Sequence, residues 1–152
     1  MQKTPIRYLK LPFLFEAKSL REELEIISND LWVKHHYSIN YEGEWTALSL
    51  YAEDGDPQNI FASSDIHIKL KETSLLKKCT YLRHIISHFH CPLLSVRLSR
   101  LTPGAEIKPH RDLRAGYEDN NFRLHIPIKT NPGVTFILDG EKIIMLPGEC
   151  WY

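Results

Sequence analysis

The chain has 152 residues, 43% of them hydrophobic and 25% charged, which is enough for one substantial core and too little for two comfortable ones. Nineteen basic and nineteen acidic residues cancel, so no global electrostatic argument favours nucleic acid or a membrane surface, and the expected partner is a small molecule or a peptide. Cys79, Cys91 and Cys150 are an odd number at unrelated spacings, no signal-peptide pattern follows Met1, and no apolar run approaches the ~18 residues of a membrane-spanning helix. A reducing cytoplasm is the expected compartment.

The first predicted element is helical. Ser19 with Glu22 makes a capping-box signature, and Leu20, Leu24, Ile27 and Leu31 follow at helical spacing, so a helix is expected to about Trp32. His35 and His36, just beyond it, suit the negative end of a helix dipole. Residues 45–52 are rich in strand formers and end in the turn residues Asp54-Gly55-Asp56-Pro57.

A second helix is expected from Thr73 or Ser74, packing through Leu75, Cys79, Leu82, Ile86 and Phe89 until Cys91-Pro92 breaks it. His84 and His88 lie at i and i+4 on it, followed by His90 and Cys91, yet no second ligand pair follows at a zinc spacing, and a solvated helix face is the simpler reading. The remainder is β in character: 93–101, 122–129, 134–138 and 141–146 read as strands. Asp139-Gly140 joins the last two as a two-residue loop of the type I′ kind. The expected architecture is mainly β with N-terminal helices, a sandwich or jelly roll with helical buttressing, in a single domain whose helical part spans about 1–92 and whose β core spans about 93–152.

Two pairs of residues carry chemistry. His110 and Asp112 follow the Thr102-Pro103-Gly104 turn two residues apart, and Arg123 and His125 repeat that spacing further on. Along an extended strand, i and i+2 share a face, so each pair could line a cavity: a metal beside an anion-binding wall. Two histidines and one carboxylate with open positions form the facial triad of non-haem Fe(II) oxygenases. Plainer readings stand beside this one. Asp112 could bond turn amides, Arg123 could be a structural charge, and His125 could be a satisfied core histidine. The apolar neighbours Phe122, Leu124, Ile126 and Ile128 predict a segment buried on both faces, where the Arg123 guanidinium would need an anionic partner such as a dicarboxylate. The polar loop 113–121 suits a substrate lid, with Arg114 and Tyr117 as candidate substrate contacts, or a surface loop with no binding role.

The stretch from Ser95 to Asp112 (SVRLSRLTPGAEIKPHRD), followed by 121–128 (NFRLHIPI) and 146–152 (LPGECWY), resembles the aspartyl/asparaginyl β-hydroxylase family, with the bacterial cis-proline hydroxylases as relatives. The resemblance implies a double-stranded β-helix of the cupin-like kind and an Fe(II)- and 2-oxoglutarate-dependent dioxygenase. By it His110 is the first iron ligand and Asp112 the carboxylate ligand, while Ser99, Arg123 and His125 bind 2-oxoglutarate. The implied reaction turns 2-oxoglutarate into succinate and CO2 and hydroxylates an amino acid or a peptidyl aspartyl or asparaginyl residue.

This sequence departs from the family in two places. Animal peptidyl-aspartate hydroxylases carry glycine where Asp112 stands, so the site resembles the free-amino-acid branch. The family's distal iron-binding histidine and a further co-substrate arginine lie beyond the position of Tyr152. Because 143–152 is an apolar run that opens a strand, truncation is expected here, with an unpaired strand edge, instability or oligomerisation as its consequences. A catalytically incomplete fragment that binds 2-oxoglutarate weakly, or a cupin-like binding module, are the alternatives to an active hydroxylase.

Overall fold

The computed structural model describes residues 7–112 and 116–152. The chain divides into two compact units, Glu23–Arg111 and Met1–Glu22 with Asp112–Tyr152.

The centre of the unit Glu23–Arg111 is strand β4, Trp45–Ala52. Residues 46–50 are all buried, so both faces of the strand are covered, which is why its sequence does not alternate cleanly. Its polar members are satisfied: Ser49 Oγ donates to the Asn59 carbonyl at 2.6 Å, and Thr73 Oγ1 donates to the Ser49 carbonyl at 3.0 Å. Along one edge β4 pairs with β2 (Val33–Lys34) and, further on, with β5 (Lys71–Glu72). Along the other edge it pairs with β6 (Val96–Leu101), in a register that sets Ala47 opposite Ser99 and Trp45 opposite Leu101. The short strands β3 (Tyr41–Glu42) and β7 (Glu106–Ile107) form a separate ladder. Between β6 and β7 the expected turn is present, the Ala105 amide bonding back to the Thr102 carbonyl at 3.0 Å across Pro103-Gly104.

The helices are shorter than their sequence patterns. Helix α1 spans Ala17–Glu25 and is capped by Glu16, whose carboxylate accepts the amides of Lys18 at 2.9 Å and Ser19 at 2.5 Å. Two carboxylate oxygens at that position outcompete the Ser19 hydroxyl, which therefore lies inside the helix. Beyond it Ser28 and Asp30 bond to each other, a local arrangement that competes with helix, and Leu31 falls in a separate 3-10 turn, Asn29–Leu31. The second helical stretch is also divided. Thr73 Oγ1 accepts the Leu76 amide at 3.3 Å as a cap, a 3-10 turn covers Leu76–Lys78, and α2 proper is Thr80–Ile86. Its first amides are satisfied by a residue distant in sequence, Glu23, which accepts Tyr81 N at 2.6 Å and Leu82 N at 2.8 Å. Leu48, Leu76 and Cys79 are fully buried in this unit.

In the other unit, β1 (Lys10–Leu14) pairs antiparallel with β10 (Glu149–Trp151), and β8 (Phe136–Leu138) pairs with β9 (Glu141–Ile143). The hairpin turn is as the sequence predicts: Asp139 and Gly140 have φ of 52° and 83°, the left-handed pair that type I′ requires. The expected strand over 122–129 does not form. It makes one isolated bridge, His125 to Trp151, because Pro127 has no N–H to continue a ladder; its carbonyl instead accepts Gly148 N at 2.8 Å.

The C-terminal strand β10 has backbone partners on both sides. β10 is held on one side by Lys10 and Leu11 and on the other by both backbone bonds of His125, at 2.8 and 2.9 Å, while Leu9 and Tyr152 exchange two further bonds at 2.8 Å. Cys150, between these flanks, is fully buried. The turn before it depends on Gly148. This residue has φ of +85°, and a Cβ there would lie 2.1 Å from the Phe15 carbonyl oxygen. The described residues are mostly β with two α-helices, and among them the strands form separate sheets without closing a barrel.

Candidate active site

Ser99 is placed by the β4–β6 ladder. Arg97 and Ser99 occupy one face of β6, and Trp45 and Ala47 the matching face of β4. The Trp45 indole N–H donates to Ser99 Oγ at 2.6 Å. His35 stacks on that indole with ring centroids 3.6 Å apart and planes 2° from parallel, and Tyr41 meets the indole edge-on at 5.6 Å. His36 lies against both His35 and Phe61; burial, and secondarily the Arg97 charge, lower its pKa below the ordinary imidazole value.

His110 belongs to the same unit and is exposed. Its Nδ1 lies 2.8 Å from the Lys108 carbonyl oxygen, and the Lys108 amide is in turn bound to the Asn40 carbonyl at 2.8 Å. A carbonyl can only accept, so Nδ1 carries the proton and the neutral ring keeps its lone pair on Nε2. That is the tautomer in which a histidine ligates a metal through Nε2.

Asp112, Arg123 and His125 belong to the other unit. Arg123 Nη1 pairs with Asp112 Oδ2, and the two side chains are 46% and 41% exposed. The expectation that Arg123 is buried on an apolar strand is thereby corrected: the segment is irregular, Phe122 is itself exposed, and the anionic partner is a residue of the chain. His125 is pinned through its backbone to Trp151, and its ring meets Phe136 edge-on at 5.6 Å. Part of its surface is open to solvent, yet the atoms around the ring desolvate it enough to lower its pKa, with the Arg123 charge adding to the effect and the Asp112 charge opposing it. These three side chains therefore form one electrostatic group. Arg114 lies outside the described residues. Tyr117 opens a 3-10 turn, Tyr117–Asp119, and its side chain is likewise outside them.

Among the described residues no group of three or more His, Cys, Asp or Glu side chains is arranged to hold a metal ion. The described side chains alone thus do not complete a facial triad. Thiolate chemistry is disfavoured at two of the cysteines, since burial pushes the Cys79 thiol up to about 11 and raises that of Cys150.

Two participants were not singled out by sequence pattern. Trp45 reads only as a strand former, although its indole N–H donates to the candidate binding hydroxyl of Ser99. Glu149 is buried, and its carboxylate accepts Lys10 Nζ, the Leu146 amide at 2.8 Å and the Trp151 indole at 3.0 Å. Burial alone would raise its pKa; the bonds from Lys10, Leu146 and Trp151 outweigh that and hold it below the usual value. It anchors the strand that positions the His125 backbone. A glutamate inside an apolar run just after Pro147-Gly148 was the available signal.

A sequence profile of the family described as aspartyl/asparaginyl beta-hydroxylase matches residues 15–152. The chain belongs to that family. The match takes in Ser99, His110, Asp112, Arg123 and His125, and hydroxylation is the family's named chemistry. No curated protein matches the chain significantly. No helix among the described residues is long and apolar enough to cross a membrane.

Proposed function

We propose that this aspartyl/asparaginyl β-hydroxylase family member is an Fe(II)- and 2-oxoglutarate-dependent dioxygenase acting on a free amino acid or a peptidyl aspartyl- or asparaginyl-type residue, built on a double-stranded β-helix. The observation that carries this reading is the family match across both units, and the His110 contact supports it, since a ring that donates from Nδ1 to a carbonyl is the tautomer in which histidines ligate metals through Nε2. His110 and Asp112 would be two of three protein ligands, and a further group must supply the third. The oxidising power would come from the metal and dioxygen, leaving binding, orientation and water exclusion to the protein.

Within that reading, Ser99 and His125 are donors to the co-substrate and Arg123 is the cation for its distal carboxylate. Asp112 and Arg123 now neutralise one another, so occupying both roles exchanges one shared ion pair for two separate ones. The loop 113–121, with Arg114 and Tyr117, is the proposed substrate lid.

A second reading has its own support. The lack of a three-ligand group among the described residues favours a chain that binds 2-oxoglutarate without turning it over. Succinate release from 2-oxoglutarate, with Fe(II) and dioxygen present, separates the two. The hydroxylase reading expects turnover that His110→Ala abolishes. Calorimetric binding of 2-oxoglutarate with no succinate formed would instead establish the binding-only form.

A further inference from the structure

The rings around Ser99 form an ordered assembly whose effect falls on a single hydrogen atom. An indole N–H is a donor and never an acceptor, so in the 2.6 Å contact between Trp45 Nε1 and Ser99 Oγ the serine oxygen accepts. The hydroxyl hydrogen must then point away from the indole, and accepting one bond strengthens the hydroxyl as a donor in another. Ser99 is thereby set as an outward donor on the exposed face of β6, the form in which a hydroxyl recognises a carboxylate.

That setting holds only while the indole keeps its plane. Rotating the ring about its bond to the backbone would carry Nε1 away from Oγ. His35 blocks the rotation: its imidazole lies flat on the indole at 3.6 Å and 2°, it is 8% exposed, and its backbone amide bonds to the Trp45 carbonyl at 2.9 Å. Tyr41 completes the clamp, edge-on to the indole, its hydroxyl donating to the His35 carbonyl at 3.2 Å.

We propose that His35 is a positioning residue: by stacking on Trp45 it holds the indole N–H on Ser99 and so fixes that hydroxyl as a donor to a carboxylate of the co-substrate. The inference rests on the reading that Ser99 contacts 2-oxoglutarate. A flat ring is what the role demands, so phenylalanine should replace His35 and leucine, of similar bulk but not flat, should not.

Two measurements on the full chain test this: the solvent exchange rate of the Trp45 indole N–H by NMR, with the signal assigned by its loss in Trp45→Phe, and the dissociation constant of 2-oxoglutarate by calorimetry. In the wild type and in His35→Phe the indole N–H should exchange slowly; in His35→Leu and Ser99→Ala it should exchange at least tenfold faster. Affinity for 2-oxoglutarate should fall about five- to tenfold in Ser99→Ala, Trp45→Phe and His35→Leu, the worth of one hydrogen bond, and recover to within twofold in His35→Phe. If Ser99→Ala weakens binding while His35→Leu leaves both affinity and exchange unchanged, the positioning role is overturned and the co-substrate reading stands. If Ser99→Ala leaves affinity unchanged, or the wild type does not bind 2-oxoglutarate, the co-substrate reading fails and the role of His35 in recognition falls with it.

Discussion

Ser99 and Arg123 are placed by different forces. Ser99 stands in a continuous ladder running from the Trp45–Leu101 pair to the Ser49–Arg97 pair, beside a strand buried on both faces. Arg123 stands in an irregular segment whose strand-like contact among the described residues is the His125–Trp151 bridge, and its side chain is held by an exposed ion pair with Asp112. Backbone ladders respond little to salt or pH, whereas exposed charge pairs respond to both. The candidate residues of the two units should therefore fail under different perturbations.

The largest effect should come from the backbone contact that sets β10. In Gly148→Ala the new Cβ would meet the Phe15 carbonyl oxygen at 2.1 Å, at a φ of +85° that alanine rarely adopts. A loss of about 4 kcal/mol or more in a urea titration is expected, the range reserved for backbone strain and steric overlap in a packed region. In the ladder-held unit, Leu48→Ala empties a fully buried site and should cost about 2–5 kcal/mol, with no dependence on ionic strength between low and high salt.

Acid should destabilise the unit that contains Asp112–Tyr152. Glu149 and His125 both have folded-state pKa values below their ordinary ones. For such groups the unfolded chain binds protons more readily, so their contribution is fully present above the ordinary pKa and is lost as pH falls through the folded one. For His125 the loss begins below the ordinary imidazole value of 6.5; for Glu149 it begins below the ordinary carboxyl value of 4.5. Urea midpoints of Glu149→Gln should be lower than wild type at pH 7 and converge on it toward pH 3. Parallel curves would show that the carboxylate charge contributes nothing.

The smallest effect should be Arg123→Leu, which removes one partner of a half-exposed pair and should change stability by no more than about 1 kcal/mol. Because it frees Asp112 from a competing cation, it should leave metal affinity unchanged or improve it while weakening 2-oxoglutarate binding. Weakening of both would show that Arg123 is structural.

The sequence was legible where one local rule decided the outcome. β4 was readable from its strand formers, and the hairpin from Asp139-Gly140, because neither depends on distant partners. The helices differ from their patterns because their starts are capped by neighbours outside the pattern, Glu16 for α1 and Glu23 for α2, and because Ser28 and Asp30 bond to each other beyond the end of α1. The segment 122–129 was misjudged because apolar composition suggested a strand and Pro127 interrupts its ladder. Asp112 and Arg123 were both singled out, but as ligands of different groups; their mutual pairing is a long-range contact that no spacing rule reveals. Trp45 and Glu149 act through side-chain bonds to residues 54 and 139 positions away, beyond the reach of periodicity.

The proposed function is tested most directly by Fe(II) binding under anaerobic conditions, followed by calorimetry in wild type and His110→Ala. The His110 tautomer and the family match together predict that the substitution lowers affinity by far more than tenfold, since a three-ligand centre does not survive the loss of one arm. Equal affinity in the two proteins would contradict the assignment of His110 as a metal ligand, and with it the iron-dependent reading of this chain.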